Sequence, residues 1–201
     1  MPGVKHRMSR AKIFDEEDAT ERAMTLFWMT GYEPTSMSNL TAHMGINKGS
    51  LYHTFGSKED LFKRALLKYD VEHRCATLAR MSEITDPVVS IDTLFSLLVK
   101  QSLEDLDKKG CMLVNTAMEL PRHNEDVRKI VVAGMDDFKV FFRQQLTFAK
   151  KQKSLSESID IDQTAKGLLA LVVGLRVMAR GVYSESDLHA IRSQAMQLIG
   201  K

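Results

Sequence analysis

The sequence predicts an all-α protein of about nine helices. Apolar residues recur at intervals of three and four along almost the whole chain, and no sustained alternating segment breaks that rhythm. Glycine, proline and capping side chains interrupt it at helix-length spacing. Asp15 can cap a first helix whose inner positions are Ala19, Ala23, Leu26, Phe27 and Thr30, and Gly31 stops it. Thr35 and Ser36 offer caps for a short second helix with Met37, Leu40 and Met44 inward, ended by Gly45. Asn47 caps a third running to about Phe55, and Gly56 breaks it. Ser57, with Asp60 three residues on, opens a long fourth helix to about Glu83.

Asp86-Pro87 opens a fifth helix with proline at its first position. Gly110 separates it from a sixth, CMLVNTAMEL, which Pro121 ends. Asn124 caps a seventh helix to about Lys153, and SLSESIDI is a polar connection. An apolar eighth helix is expected at about 163–180 and a ninth at about 186–199. We place a small N-terminal domain at 1–56, with a basic arm at 1–13, and a larger helical domain at 57–201.

The 201 residues are 44% hydrophobic and 27% charged, ordinary for a globular protein. GLLALVVGL, residues 167–175, is too short to span a bilayer, and the N-terminus lacks the apolar core of a signal peptide. Cys75 and Cys111 do not make a disulfide framework, so a cytoplasmic chain with reduced thiols and no membrane partner is expected. Net charge is only +2, but its distribution is uneven. Residues 1–13 carry Lys5, Arg7, Arg10 and Lys12 without an acid, and residues 34–58 carry Lys48 and Lys58 without an acid.

Helices two and three, joined through Gly45-Ile46, form a helix-turn-helix, whose second helix in such motifs lies in the DNA major groove. On a helix turning about 100° per residue, Leu51 and Phe55 point inward. Lys48 and Tyr52 form one outward row, Gly49 and His53 another. Lys48 suits a phosphate, and Gly49 lets the backbone approach closely. Tyr52 suits a phosphate hydrogen bond, and His53 and Ser50 suit base edges. Thr35 and Ser36 put hydroxyls and N–H groups where a phosphate would lie, and Lys58 can hold the far strand.

These residues resemble a known family. FDEEDATERAMTLFWMTGYEPTSMSNLTAHMGINKGSLYHTFGSKEDLFKRAL is similar to the N-terminal domain of TetR-family (tetracycline-repressor-like) transcriptional regulators. The matching pieces are LF..GY at 26–32, TS at 35–36, L-T..MGI at 40–46 and KGSLYHTFGSKEDL at 48–61. The resemblance implies a homodimeric repressor that binds a palindromic double-stranded DNA operator and leaves it when a small molecule enters the C-terminal domain. Carried over, the DNA contacts are Lys48, Gly49, Ser50, Tyr52 and His53 on a helix opened by Asn47, with Thr35, Ser36 and Lys58 on phosphates. The basic arm would enter the minor groove.

The family dimerises through its last two helices. Here Leu168, Leu171, Val172 and Leu175 supply bulk on helix eight beside a small-residue stripe of Gly167, Ala170 and Gly174. Leu188, Ile191, Ala195 and Leu198 repeat along helix nine. Pairing across a two-fold axis is expected of these residues, the alternative being closure of the chain's own core. Met and Phe are frequent between helices four and eight, so Phe95, Met112, Asn115, Met118, Phe138 and Met178 are pocket candidates.

Cys111 is a second kind of sensor candidate. Lys108, Lys109 and the start of helix six would favour a thiolate able to meet an oxidant or electrophile, and GCMLV resembles the segment that NemR-like regulators use for electrophiles. Cys75 is either its resolving partner or core. No enzyme is expected: Cys111 and His123 lack any surrounding hydrolase motif. No cofactor or metal is expected either, since His73 and Cys75 fall on different helix faces and the other histidines are scattered. An architectural DNA-binding protein without ligand control is the alternative of another class, and the large C-terminal domain argues against it.

Overall fold

The computed structural model describes residues 14–201. The expected basic arm lies outside them. Among the described residues nine α-helices follow one another: α1 (Glu16–Thr30), α2 (Met37–Met44), α3 (Lys48–Phe55), a long α4, α5 (Pro87–Glu104), α6 (Met112–Met118), α7 (Glu125–Lys151), α8 (Ile161–Met178) and α9 (Glu185–Leu198). α4 runs continuously through Lys58–Tyr69, a π-helical turn at Asp70–Cys75, and Ala76–Ser82. Among the described residues there is no β-strand, and no helix is long and apolar enough to cross a membrane.

Side chains fix most helix starts. Asp15, Ser36, Asn47, Asp86 and Asn124 each accept a backbone N–H of the turn they open. Ser57 with Asp60, and Ser184 with Asp187, close reciprocal capping boxes. Gly31, Gly45 and Gly56 end α1, α2 and α3 with φ of 87°, 70° and 80°, conformations in which other residues are strained.

Two cores form. The first joins Ala23, Phe27, Leu40, Leu51 and Phe55 of α1–α3 to Leu61, Phe62, Leu66 and Tyr69 of α4, and it takes in Met112 and Val131 from the later helices. Packing therefore continues unbroken across the division expected at residue 56: the first half of α4 closes the three-helix head. The second core packs α5, α7, α8 and α9 around Phe95, Phe142, Leu168 and Leu175.

Two features depart from the expected layout. Helix six stops at Met118 and a 3₁₀ turn, Leu120–Arg122, follows. The π turn in α4 is the other. There Arg74 is bidentate to Asp70, with Nε–Oδ1 at 2.5 Å and Nη2–Oδ2 at 2.6 Å, and its Nη1 reaches Asp137 of α7 at 2.8 Å. Opposite the turn, a Cβ on Gly134 of α7 would stand 3.1 Å from Leu113 Cδ1 and 3.4 Å from both Arg74 Nε and Asp70 Oδ1.

Candidate functional site

α3 buries Leu51 completely and leaves Phe55 2% exposed, which fixes the helix's rotation against α1, α2 and α4. The opposite face is open: Lys48, Gly49, Tyr52 and His53 are exposed and Ser50 half-exposed. Lys48 Nζ lies 5.9 Å from the Tyr52 ring centroid, so the two form one outward row. A Cβ on Gly49 would touch only the Asn47 side chain, at 3.3 Å. Neither α2 nor α3 carries an acid. The acids of the head gather elsewhere: Glu17 and Glu21 of α1, together with Glu72, surround the Lys68 ammonium. The α3 face thus presents an acid-free, hydrogen-bonding surface suited to a phosphate backbone.

Several expected contacts take other roles. Thr35 is 2% exposed, and its hydroxyl donates to the Gly31 carbonyl at 2.6 Å and pairs with Thr30 Oγ1. It locks the α1–α2 turn and is closed to a phosphate. Asn47 Oδ1 accepts the Ser50 N–H at 2.8 Å, so its carbonyl caps α3. Ser36 is exposed and caps α2 through the Asn39 N–H. Lys58 is half-buried with its ammonium 4.3 Å from the Tyr32 ring centroid. Phe14, where the described residues begin, packs its ring 6.2 Å from that of Phe55.

A cavity of about 570 Å³ lies between the head and the C-terminal helices. Trp28, Tyr69 and His73 form an aromatic wall; Leu98, Phe138 and Val172 form an apolar one; Arg80, Gln101, Lys109 and Arg176 bring polar groups. Cys111 lines it, half-buried. Tyr69 is 4% exposed, and burial, then the adjacent Cys111, push its phenol well above the ordinary value. Burial holds His73 below its ordinary value, so this wall is neutral. Burial also raises the Cys75 thiol, which sits 3.2 Å from Arg74 Nη2 inside the π-turn cluster. Lys109, expected to support a thiolate, places its ammonium 4.8 Å from the Trp28 ring centroid and 3.8 Å from Asp107.

Of the six pocket candidates, Phe138 alone lines this cavity. Phe95 is fully buried in the second core, and Met178 packs against that core. Met112, Asn115 and Met118 line a separate crevice of about 540 Å³ between α1 and α6. The expectation followed the richness in Met and Phe, whereas the cavity draws its polar lining from the ends of α4, α5 and α8 and from the loop before α6. That loop ran on a readable signal, a Lys-Lys-Gly-Cys run between two helices, but Arg80, Gln101 and Arg176 carried none.

The residues expected at a two-fold axis divide between the chain's own core and its surface. Leu168, Val172, Leu175, Leu188 and Ala195 are buried in the chain's own second core, with Leu171 and Ile191 packed against it. Leu198 is 43% exposed, and its Cδ2 lies so close to Gly167 that a Cβ there would meet it at 2.8 Å. Leu168, Val172, Leu175, Leu188 and Ala195 thus close the protomer, while Leu171, Ile191 and Leu198 keep surface exposed. The outward face of α8 is Ala170, Val173, Gly174 and Val177, exposed or half-exposed, with open space beside Gly174.

Comparison with known proteins matches residues 19–65 to the family described as bacterial regulatory proteins, tetR family, and residues 91–195 to the tetracyclin repressor-like C-terminal domain. The uncharacterized HTH-type transcriptional regulator YezE of Bacillus subtilis is 30% identical over 174 residues, 86% of this chain and 90% of YezE. The HTH-type transcriptional repressor ComR of Escherichia coli is 25% identical over 97% of this chain and 93% of its own. A cysteine-substituted form of the TetR family regulator CifR, complexed with 26-base-pair operator DNA, is 27% identical with a TM-score of 0.80, covering 94% of this chain and 98% of CifR. The reduced form of E. coli NemR has the same fold, with a TM-score of 0.78 at 22% identity over 92% of this chain and 97% of NemR.

Proposed function

As this chain belongs to the tetR family of bacterial regulatory proteins, we propose that it is a homodimeric repressor that binds a palindromic operator and is released by a small molecule. The observation that carries the DNA reading is the split of α3 into a buried face, Leu51 and Phe55, and an open, acid-free face of Lys48, Gly49, Tyr52 and His53. Lys48 and Tyr52 would hold phosphates and sugar, and Ser50 and His53 would meet base edges. Ser36 and Lys58 would flank them on phosphates, and the basic arm with Lys5, Arg7, Arg10 and Lys12 would enter the minor groove. The CifR structure with operator DNA supports this reading.

The dimer would form through the small outward face of α8, Ala170, Val173, Gly174 and Val177, where open space beside Gly174 lets a second helix approach. The effector site would be the cavity between Trp28 and Arg176. Its volume falls in the range of small-molecule sites, and it touches both the head and the C-terminal helices. A second trigger, modification of Cys111, is favoured by that thiol's place in the cavity wall next to the head.

The test is the affinity of the reduced protein for DNA from just upstream of its own gene, at fixed salt, before and after alkylation. Tight binding lost on alkylation in the wild type and kept in Cys111→Ser supports the thiol trigger. Tight binding unaffected by alkylation assigns release to a non-covalent ligand. Failure to select any DNA from the whole genome overturns the repressor reading.

A further inference from the structure

Arg176 of α8 reaches the cavity wall half-buried, and its partners are neutral: Nη2 donates to Gln101 Oε1 at 2.5 Å and Nη1 to Ser102 Oγ at 3.4 Å. Among the described residues no carboxylate oxygen lies within 4.0 Å of it. The other charges of the cavity are differently placed. Arg74 is spent on Asp70 and Asp137. Glu72 is held by Lys68. Glu104 is exposed and 3.8 Å from Lys100. Lys109 covers the Trp28 ring. Asp105 turns its Oδ2 onto the Gly110 N–H at 2.8 Å, and its Oδ1 is buried without a hydrogen-bond partner. A half-buried guanidinium held only by an amide and a hydroxyl lacks a counter-ion, and a planar anion is the group its fork fits best.

We infer that the cavity binds a small organic carboxylate, its anionic end on Arg176 and its apolar or aromatic body between the Trp28–Tyr69 wall and the Leu98–Phe138 wall. The inference rests on the cavity being the effector site proposed above and names the chemical class that this site selects. Burial keeps Tyr69 as a neutral phenol and His73 as a neutral ring, so neither adds a charge that would repel the anion or satisfy it in place of Arg176. Arg80, exposed at the same cavity, adds attraction for an incoming anion.

The chain has a single tryptophan, Trp28, which lines the cavity, so its fluorescence reports occupancy. We would titrate matched pairs of an acid and its neutral amide, from acetate and acetamide to 3-phenylpropanoate and 3-phenylpropanamide. The expected result is that the larger acids bind about tenfold or more tighter than their amides. Arg176→Gln should abolish that preference. Gln101→Glu should abolish it as well while keeping the arginine and its partner position, because it supplies the missing carboxylate inside the protein. Absence of any acid preference across the series, or a preference that survives both variants, overturns the inference. Operator release is read in parallel. Acid-selective binding without release leaves the anion site standing and removes the effector role. Release caused equally by acids and amides does the reverse.

Discussion

The indole Nε1 of Trp28 donates a 3.1 Å hydrogen bond to the carbonyl oxygen of Gly110. This joins α1 of the DNA-reading head to the residue before Cys111. The Gly110 peptide is confined from the other side too: it adopts φ +69°, and a Cβ on it would meet Arg180 Cγ at 3.0 Å. The loop is therefore clamped between the head and the end of α8. The Trp28 ring is itself fixed, with Tyr69 at 4.9 Å and His73 at 5.1 Å between centroids. The Trp28–Gly110 hydrogen bond thus links this loop directly to α1 of the head.

Trp28→Phe keeps an aromatic ring and removes the donor. The lost hydrogen bond costs roughly 0.5–1.5 kcal/mol, so folding and operator affinity should survive. Release of DNA on thiol alkylation, or on the carboxylate, should need a higher dose than in the wild type. An unchanged dose–response in operator-binding assays would remove Trp28 from the coupling route.

Val173→Glu places charges on the outward face of α8, away from the buried Leu168, Val172 and Leu175. The monomer fold should persist by circular dichroism while sedimentation shifts to the monomer. Operator affinity should fall steeply, because one head alone reads one half-site. A variant that remains dimeric locates the two-fold elsewhere.

His123 predicts a pH dependence. Its ring stacks on Phe62 at 5.0 Å and 6°, with Tyr32 at 4.8 Å, and neither ring nitrogen has a hydrogen-bond partner. Burial holds its pKa below 6.5; Glu119, Glu59 and Glu33 pull it up and Lys58 pushes it down. The unfolded chain then binds more protons than the folded one between those two values. The stability from the neutral ring is complete above pH 6.5 and is lost as pH falls toward the folded value. His123→Phe should flatten the acid limb of the denaturation midpoint, measured by urea titration between pH 7 and 5. A limb as steep as the wild type's would contradict this.

What was legible in the sequence was local. Asp15, Ser36, Asn47 and the Ser57–Asp60 box announce helix starts because a cap interacts with its own next turn. The open face of α3 follows from spacing alone, once Leu51 and Phe55 are taken inward. What was not legible depends on distant partners. The ion-pair cluster in the π turn includes Asp137, 63 positions along the chain from Arg74. Thr35 looks like a phosphate ligand until Thr30 and Gly31 fold back onto it. The bulky stripes of α8 and α9 read equally as interface or core; packing with α5 and α7 buries Leu168, Val172, Leu175, Leu188 and Ala195, while Leu198 stays exposed. The cavity's polar groups come singly from several helices, so no run of sequence marks them.

The central claim is that the outer face of α3 holds the operator. The most direct measurement is operator affinity against salt for the wild type, Lys48→Ala and Tyr52→Ala, with dimer state checked in the same samples. Each variant should lose about 1–3 kcal/mol, and Lys48→Ala should also lower the salt slope by about one per phosphate contact removed. Dimers that bind the operator with wild-type affinity and slope in both variants would contradict the placement of α3 on DNA.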